Sequence, residues 1–423
     1  VPTRSLLRAY VSSHTADVFK CDSGRADSFL TPPYACAFTN ATKRGAASHL
    51  AVSTEQGTVF IWDTSKREGS NEAANRVDLD IHNNGIFDVQ WSPDDTFLAT
   101  CSADRTTCIT DVATGKTLHR LRGHNSTVKT VVWDPQQASL LSTGGRDGGI
   151  CVWDLRMAGQ SSQGMTSHTS VIVIDSAHGE DKQAGRGGRR RVVPSARSVT
   201  SLMYAEGLSD RLISSGSFDG MLRLWDLRRL NPPTQAKSRK KRTAQPAAMS
   251  AFDPTIVEGA RRARGLASVV AGTGPTHGLL FGLGMDSCVH TYAASTLLPL
   301  SQKGTLKHPN MNVNSFCIRL ALSPDGTSLV SGSCGTDKGA STFLFDVSQI
   351  AAAAPPILPD TAGVELPGQK KGEVGCVDWG QDLLATGSDD GTVQVWRFNP
   401  EIRQRCDVEA DMRWTWTWGI DGM

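Results

Sequence analysis

The sequence contains two sets of residues that could assemble a hydrolytic triad. Each set has a histidine, a hydroxyl side chain, an aspartate and then a tryptophan: His124, Thr143, Asp147 and Trp153, and His178, Ser215, Asp219 and Trp225. A histidine held between a hydroxyl nucleophile and a carboxylate is the arrangement that serine hydrolases use. A nucleophile, however, needs one exposed position beside an oxyanion hole, and no Gly-x-Ser-x-Gly turn accompanies either set. Because the set recurs with a repeat, we expect a structural role rather than catalysis.

The two sets lie in a unit that recurs seven times, and this repeat determines the predicted architecture. A unit runs from apolar residues through small residues and an acidic-glycine turn to alternating apolar residues, and it usually ends in an aromatic residue and Asp. The copies span 50–63, 97–111, 140–154, 212–226, 279–292, 329–346 and 383–397. β-Branched residues at a period of two between Gly/Asp turns predict strands, and a stretch upstream of the unit supplies another. Seven such sheets can bury one another's faces when they pack radially.

These units resemble WD repeats, in which the Gly-His and Ala-His pairs ending at His124 and His178 would be the GH step. The resemblance implies an all-β protein, a seven-bladed WD-repeat β-propeller over residues 1–400, followed by a C-terminal tail of unassigned role at 401–423. It also implies that each set of His, hydroxyl, Asp and Trp is a hydrogen-bonded tetrad that ties the loops of its blade together. Losing one partner of such a tetrad would leave a buried polar group unsatisfied, at about 1–3 kcal/mol.

The composition excludes several classes of protein. No run of 18 or more apolar residues occurs, so we expect no transmembrane helix and no membrane contact. The 10 cysteines form no Cys-x-x-Cys pair, which argues against a zinc site and a disulfide framework and favours reduced thiols in a nuclear or cytosolic protein. No P-loop, HExxH, dinucleotide fingerprint or EF-hand loop is present. We therefore expect no metal, no cofactor and no enzymatic activity.

Two successive repeats end in the same box, Trp-Asp-Leu-Arg, which places Asp154 before Arg156 and Asp226 before Arg228. Residues two positions apart lie on one face of a strand, so each Arg could present a permanently charged fork to a partner's carboxylate or carbonyl. The boxes resemble the WDxR box by which substrate receptors dock on the damaged-DNA-binding adaptor of cullin-4-type ubiquitin ligases. The alternative is that each Arg is a solvated residue paired only with its neighbouring Asp.

Ordered segments along the chain resemble one family of these receptors in particular. They are SLLRAY, TPPYACAF, HNNGIFDVQW, GHNSTVKTVVW, TGGRDGGICVWDLR, SAHGEDKQ, SVTSLMY, DGMLRLWDLRR and LSPDGTSLVSGS, in this order. They are similar to the propeller of the denticleless family. The resemblance implies a nuclear, non-catalytic substrate receptor of a cullin-RING ubiquitin ligase that recruits degron proteins bound to the sliding clamp PCNA, in S phase and after DNA damage. The alternative is a general WD-repeat scaffold in chromatin assembly or RNA processing.

Both ends of the chain carry separate expectations. The last blade lacks an outer strand after Trp396, so we expect the N-terminal segment 5–10 to supply it and to close the ring. Denticleless proteins have a long C-terminal region with a clamp-binding peptide, and the tail has no counterpart to it, so we expect a truncated or divergent chain. The Trp/Thr alternation at 414–418 would suit an edge strand or a docking peptide.

Three basic runs interrupt the repeats at 186–191 (RGGRRR), 237–242 (KSRKKR) and 261–264 (RRAR), within insertions at about 179–198 and 231–264. Their like charges repel, so we expect polar loops between strands. KSRKKR fits a nuclear-localisation peptide, whereas contact with DNA phosphates beside the clamp would be weak and salt-dependent. Solvated loops with neither role are the third interpretation. The net charge of +2 weakens any prediction of nucleic-acid binding by the whole surface.

Overall fold

Seven small sheets, arranged as the blades of a propeller, contain nearly all of the regular structure in the computed structural model. It describes residues 6–12, 17–23, 29–65, 76–157, 159–162, 164–179, 197–205, 208–230, 244–256, 262–300, 305–335, 339–350, 363–369 and 372–408. The basic runs at 186–191 and 237–242 and the alternation at 414–418 lie outside these residues. The predicted all-β, seven-bladed fold is confirmed.

The strands follow the chain order from blade to blade. Two short N-terminal strands are β1 (Tyr10–Val11) and β2 (Val18–Lys20). Blade one has β3 (Pro33–Phe38), β4 (His49–Thr54), β5 (Thr58–Asp63) and β6 (Arg76–Asp80). Blade two has β7 (Ile86–Trp91), β8 (Phe97–Ser102), β9 (Thr106–Asp111) and β10 (Lys116–Arg122). Blade three has β11 (Val128–Trp133), β12 (Leu140–Gly145), β13 (Ile150–Asp154) and β16 (Ile172–Ile174), and between the last two the chain forms the hairpin β14 (Gln160–Ser162) and β15 (Met165–His168), which belongs to the sheet of blade two.

The remaining blades continue this numbering. Blade four has β17 (Val199–Tyr204), β18 (Arg211–Gly216), β19 (Arg223–Asp226) and β20 (Ala248–Met249). Blade five has β21 (Leu266–Ala271), β22 (Leu279–Gly284), β23 (Cys288–Ala293) and β24 (Leu306–Lys307). Blade six has β25 (Leu320–Leu322), β26 (Ser328–Ser331), β27 (Ser333–Cys334), β28 (Ala340–Asp346) and β29 (Val364–Gln369), although β27 pairs with blade seven. Blade seven has β30 (Glu373–Trp379), β31 (Leu383–Ser388) and β32 (Thr392–Phe398).

Helical structure is confined to short segments within the described residues. The α-helices are α1 (Asn40–Lys43) and α2 (Pro400–Val408), and two single 3₁₀ turns span Leu227–Arg229 and Gly274–Thr276. The hairpin β14–β15 extends blade two, because β15 pairs with β10 in parallel. The weakest sequence repeat, 279–292, forms β22 and β23, so the blade that it predicted is present as blade five.

The ring is built from the first strand of every blade. Each first strand contacts the first strand of the next blade, and β30 of blade seven contacts β3 of blade one. Neighbouring blades share one apolar core, as where Phe38 and Trp62 of blade one are buried with Cys376 and Val395 of blade seven. Burial of these sheet faces between blades, rather than within a blade, is the main source of stability in this architecture.

The N-terminal segment closes the ring, as predicted, but by a shorter strand. Tyr10 and Val11 pair with Phe398 and Arg397 of β32, and β2 continues along the same strand. Residues 6–9 form a helical turn instead of a strand. The physical reason is that Leu7 is buried in the apolar core that blades six and seven share, which a straight strand leading into β1 would not place there.

Replacing Tyr10 by alanine should lower the free energy of unfolding by about 2 kcal/mol. The tyrosine ring lies edge-on to Trp379, with 5.2 Å between ring centroids, and to Phe398, at 5.6 Å, so truncation removes both contacts at the closing strand. Urea unfolding measures the change. Leu6→Ala is the matched control, because Leu6 is exposed and should change stability by less than about 0.5 kcal/mol. Equal effects of the two variants would contradict this closure.

The propeller has two chemically different faces. Loops that join second to third strands, and loops that join one blade to the next, lie on one face, which we call the tetrad face. Loops that join first to second and third to fourth strands lie on the opposite face, which we call the box face. The assignment follows from the antiparallel order of the strands in each blade.

Candidate functional site

The tetrad predicted in blade three is present on the tetrad face. His124 Nδ1 lies 3.2 Å from both carboxylate oxygens of Asp147, and His124 Nε2 lies 2.8 Å from Thr143 Oγ1. Trp153 Nε1 donates to the same Thr143 oxygen at 2.9 Å. The Asp147 carboxylate also accepts from the backbone N–H of Asn125, at 2.7 Å. The Thr143 hydroxyl is therefore buried and committed to two partners, so it is not placed as a nucleophile.

The tetrad predicted in blade four is wrong at its hydroxyl residue. His178 Nε2 lies 2.9 Å from Oγ of Ser214, which also accepts from Trp225 Nε1 at 2.9 Å. Ser215 points to the other side of the strand, where its hydroxyl lies 2.9 Å from that of Thr200. Ser214 is therefore the member that sequence reasoning missed.

The cause of this error is a longer hairpin. In blade three, Leu141 pairs with Trp153, twelve positions later, whereas in blade four Leu212 pairs with Trp225, thirteen positions later. If the repeats of blades three and four are aligned residue by residue on their Asp-Gly turns, every residue of the second strand in blade four is assigned one position away from its true equivalent. Since strand side chains alternate, that single step selects the side chain on the wrong face.

Asp219 also departs from its predicted role. Its carboxylate lies 3.6 Å from the guanidinium of Arg223, and Nδ1 of His178 has no hydrogen-bond partner among the residues that the structure describes. Arg223 in turn donates to the carbonyl of Ala177, at 2.8 Å. Blade four thus replaces the His–Asp pair with an Arg–Asp pair, and burial together with Arg223 and Arg197 keeps the pKa of His178 well below its usual value.

Blade two contains a further set that sequence reasoning missed. His82 Nδ1 lies 2.8 Å from the Asp104 carboxylate, and His82 Nε2 lies 2.9 Å from Thr100 Oγ1. The tryptophan position is taken by Thr110, whose hydroxyl instead lies 3.2 Å from that of Thr117. The sequence signals for this set were Ile-His, where the repeat has Gly-His, and the turn Ala-Asp-Arg. They are hard to recognise because the usual glycine and tryptophan are absent.

The surroundings of the paired histidines favour their protonated form despite their burial. Burial opposes protonation, but the hydrogen bond to Asp104 and the neighbouring Cys108 outweigh it and raise the pKa of His82 to about 9, and Asp147 and Cys151 do the same for His124. Burial would raise the pKa of Asp104, yet the bond to His82 lowers it to about 2. Each His–Asp pair holds the turn between the second and third strands of its blade to the preceding inter-blade loop.

The first box, on the box face of blade three, has a different local geometry from the predicted one. Strand β13 ends at Asp154, and Arg156 lies in the turn that follows. The turn forms because the Asp154 carboxylate accepts the backbone N–H of Arg156, at 2.9 Å. The guanidinium then folds back, with Nε and Nη2 donating to Asp154 at 2.9 and 2.8 Å. The prediction that both residues lie on one strand face is therefore wrong, although they are paired.

The arginine of this box is both ordered and accessible. Its side chain is 62% exposed, whereas that of Asp154 is 16% exposed. The hydrogen bond from Arg156 lowers the pKa of the Asp154 carboxyl. The box therefore presents a pre-oriented guanidinium whose outer edge is free to meet another surface.

The second box repeats this geometry in blade four with one added partner. Asp226 accepts the backbone N–H of Arg228 at 3.1 Å and begins the 3₁₀ turn Leu227–Arg229. Arg228 Nε lies 3.4 Å from Asp226 and only 2.6 Å from Asp210, and the side chain is 66% exposed. Arg229 Nε lies 3.2 Å from Asp226. Asp210 is a residue of this surface that sequence reasoning missed, since it comes from another loop, whereas Arg229 directly follows the box in the sequence.

The two boxes lie on the same face of neighbouring blades. Both follow the third strand of their blade, and the blades are neighbours in the ring. A hydrogen bond of 2.8 Å from Ser209 of blade four to Asp134 of blade three joins the loops next to the boxes. We call the surface formed by Asp154, Arg156, Asp210, Asp226 and Arg228 the box surface. It is suited to bind carboxylates or carbonyls of a partner protein.

The central channel contains a cavity of about 420 Å³ that the first strands line. Arg319 of blade six reaches across to blades two and three, where its Nη2 donates to the carbonyls of Phe87 and Lys129 at 2.8 and 3.1 Å. Asp88 accepts the backbone N–H of Val131, at 3.0 Å. These charged groups bind backbone rather than one another. Among the described residues, no group of three or more His, Cys, Asp or Glu side chains is placed to hold a metal.

No helix in the described part of the chain is both long and apolar enough to cross a membrane.

Comparison with known proteins agrees with the architecture. The family model described as "WD domain, G-beta repeat" matches residues 76–111, 115–154, 196–226 and 363–397. These segments contain the first three strands of blades two, three, four and seven, and two of them end at Asp154 and Asp226, just before the arginines of the boxes.

Curated relatives match over most of the chain. The Denticleless protein homolog B of Xenopus laevis is 31% identical over 412 residues, which are 94% of this chain and 52% of that relative. The Cell division cycle protein cdt2 of Schizosaccharomyces pombe is 31% identical over 361 residues, 82% of this chain and 66% of the relative. The Denticleless protein homolog of Homo sapiens is 28% identical over 387 residues, which are 88% of this chain and 48% of that relative. The chain spans about half the length of most of these relatives. Its seven blades, WD repeats and extended similarity make it a denticleless-like WD-repeat protein.

Proposed function

We propose that the chain is the substrate receptor of a cullin-RING ubiquitin ligase and that its box surface docks on the damaged-DNA-binding adaptor of that ligase. The observation that carries this proposal is the pair of exposed guanidiniums of Arg156 and Arg228, held in one orientation by Asp154 and Asp226 on neighbouring blades. The similarity to denticleless proteins supports the class of complex.

The geometry suits docking because the arginine side chains have already lost much of their conformational entropy in the free chain. An arginine that is fixed by a carboxylate before binding loses little further freedom when a partner covers it. Its remaining N–H groups face outward and can donate to partner oxygens in a bidentate manner. Two such groups on adjacent blades define both a position and an orientation for the adaptor, which a single surface arginine would not.

The rest of the proposal concerns what the receptor recruits. Degron proteins bound to the sliding clamp PCNA would bind away from the box surface, so the ligase arm and the substrate do not compete for one face. The chain itself would be non-catalytic and would act in the nucleus, in S phase and after DNA damage, with 237–242 as the import signal. The basic insertions would add weak DNA contact.

Purification of the tagged chain from dividing cells, followed by mass spectrometry, tests this function. The adaptor and the cullin should copurify in amounts comparable to the chain, and clamp-bound proteins should increase after DNA damage. The purified chain should also bind the purified adaptor directly. Chromatin-assembly or RNA-processing proteins in place of adaptor and cullin would support the scaffold alternative and contradict the proposal.

A further inference from the structure

The tetrad face of blade four carries an exposed surface that combines apolar and cationic side chains. We call it the blade-four patch, and it consists of Arg197, Phe218, Phe252, Ile256, Arg262 and Arg264. The Phe218, Phe252 and Ile256 side chains are 51%, 51% and 52% exposed, and both Arg262 and Arg264 are exposed. Large exposed apolar groups gathered on one surface usually mark a binding site.

The longer hairpin of blade four helps to create the patch. Phe218 lies in the connection between β18 and β19, which has one residue more than the equivalent connection in blade three. Arg197 precedes β17, and its guanidinium lies 3.8 Å from the centroid of the Phe218 ring. A cation on an aromatic face is attracted by the electrons of the ring, so the pair is stable although it is partly exposed.

The loop after β20 packs against this hairpin and fixes the second half of the patch. A side-chain carbon at Gly220 would lie 2.6 Å from both Asp253 and Thr255, which shows how closely the loop approaches. Thr255 Oγ1 accepts the backbone N–H of Arg264 at 2.9 Å and lies 3.1 Å from the carbonyl oxygen of the same residue. Thr255 therefore ties Arg264 to the part of this loop that packs against the hairpin of Phe218.

The local charge of the patch is positive. Asp219 is offset by Arg223, whereas Asp253, which accepts two hydrogen bonds from Thr255 at 2.9 and 2.7 Å, keeps its negative charge beside the three arginines of the patch. Within the described ranges, neither Arg262 nor Arg264 forms an ion pair. In the sequence, Arg261 directly precedes Arg262, and RGGRRR at 186–191 lies a few residues before Arg197. This charge favours a polyanionic partner.

We propose that the blade-four patch binds single-stranded nucleic acid. Phosphates would contact Arg262 and Arg264, and an unpaired base would stack on the Phe218–Arg197 pair. Stacking on aromatic rings within a cationic groove is how proteins bind single strands without reading sequence. A duplex hides the faces of its bases and would use only the arginines. The patch extends the weak DNA contact in the proposed function, and it lies on the face opposite the box surface, so both partners can bind together.

The test is fluorescence anisotropy of the full chain with a labelled 20-nucleotide oligothymidine and with a duplex of the same length. Phe218→Ala should weaken binding to the single strand by about 5- to 100-fold without changing its salt dependence. Arg262→Ala with Arg264→Ala should reduce the slope of log K against log salt by roughly 1.4, since each phosphate contact contributes about 0.7. Phe218→Trp should retain binding. The matched controls are Phe29→Ala, an exposed aromatic elsewhere, and Arg105→Ala with Arg122→Ala on blade two.

Two results would overturn the proposal. One is equal affinity for duplex and single strand with no effect of Phe218→Ala, which would leave only general charge attraction. The other is displacement of the oligonucleotide by polyglutamate of equal charge at equal concentration, which would point to an acidic protein segment instead. Adaptor binding by the Phe218→Ala chain should equal that of the unchanged chain, so failure here is distinct from failure of the proposed function.

Discussion

A chain in which Arg156 and Arg228 are both alanine should bind the adaptor about 30- to 5,000-fold more weakly than the unchanged chain. Removing an arginine from a desolvated, hydrogen-bonded contact typically reduces binding by about 2–5 kcal/mol. Here the effect has two parts: the partner loses its donors, and the Asp154 carboxylate is left beneath the interface without its cation, whereas Asp226 keeps Arg229. Isothermal titration calorimetry with purified adaptor measures the change.

The two single arginine variants should differ in how much they weaken adaptor binding. Arg228 is held by Asp210 as well as Asp226, so it is more firmly oriented before binding, and Arg228→Ala should have the larger effect. Asp210→Ala should weaken binding by less than either arginine variant, because the charge remains while its orientation is lost. This comparison separates a positioning residue from a contact residue.

A matched double variant provides the control. Arg105→Ala with Arg122→Ala removes the same charge from exposed positions on the tetrad side of blade two and should leave adaptor affinity unchanged. All variants should keep the same unfolding midpoint, since the arginines of the boxes are mostly exposed. Undiminished affinity of a folded Arg156→Ala, Arg228→Ala chain would remove the main support for the docking proposal.

The fold was predictable because its information is local and repeated. Each repeat predicts the strands and turns of its own blade, and the other six copies support the prediction from a weak copy such as 279–292. The closing strand was predictable for a similar reason, since a blade without an outer strand needs one. Its exact start was not, because the burial of Leu7 between blades six and seven depends on contacts that no repeat describes.

The details of the site were less predictable because they depend on single positions. One residue more in the hairpin of blade four exchanges Ser215 for Ser214, and nothing in the local pattern reveals the longer connection. The arginine in each box follows its strand instead of belonging to it, because a short Asp side chain captures the backbone two residues later. Asp210 comes from another loop, so only the folded chain brings it to Arg228.

The histidine pairs of blades two and three should make the propeller less stable as the pH rises from about 6.5 to 9. Both histidines have a folded pKa of about 9, above the value of 6.5 for a free histidine, so their contribution is fully present below pH 6.5 and is lost as the pH passes 9. A shift of this size corresponds to a contribution on the order of 3 kcal/mol for each histidine, of which the aspartate supplies one part and Cys108 or Cys151 the other. The effect of His178 on the pH dependence of stability has the opposite sign, since its lowered pKa makes the fold less stable as the pH falls below 6.5.

Changing Asp104 and Asp147 to asparagine therefore tests the pairs without removing a hydrogen-bonding side chain. At pH 6.5 the double variant should be several kcal/mol less stable than the unchanged chain in urea unfolding, and the difference should shrink steadily toward pH 9, where the unchanged chain is losing the same charge. Asp80→Asn, at an exposed carboxylate that bonds only to Thr58 among the described contacts, should leave the pH profile unchanged. A deficit that stays constant from pH 6.5 to 9 would mean that the histidines are neutral in the folded chain, and the tetrads would then stabilise the blades by neutral hydrogen bonds and packing alone.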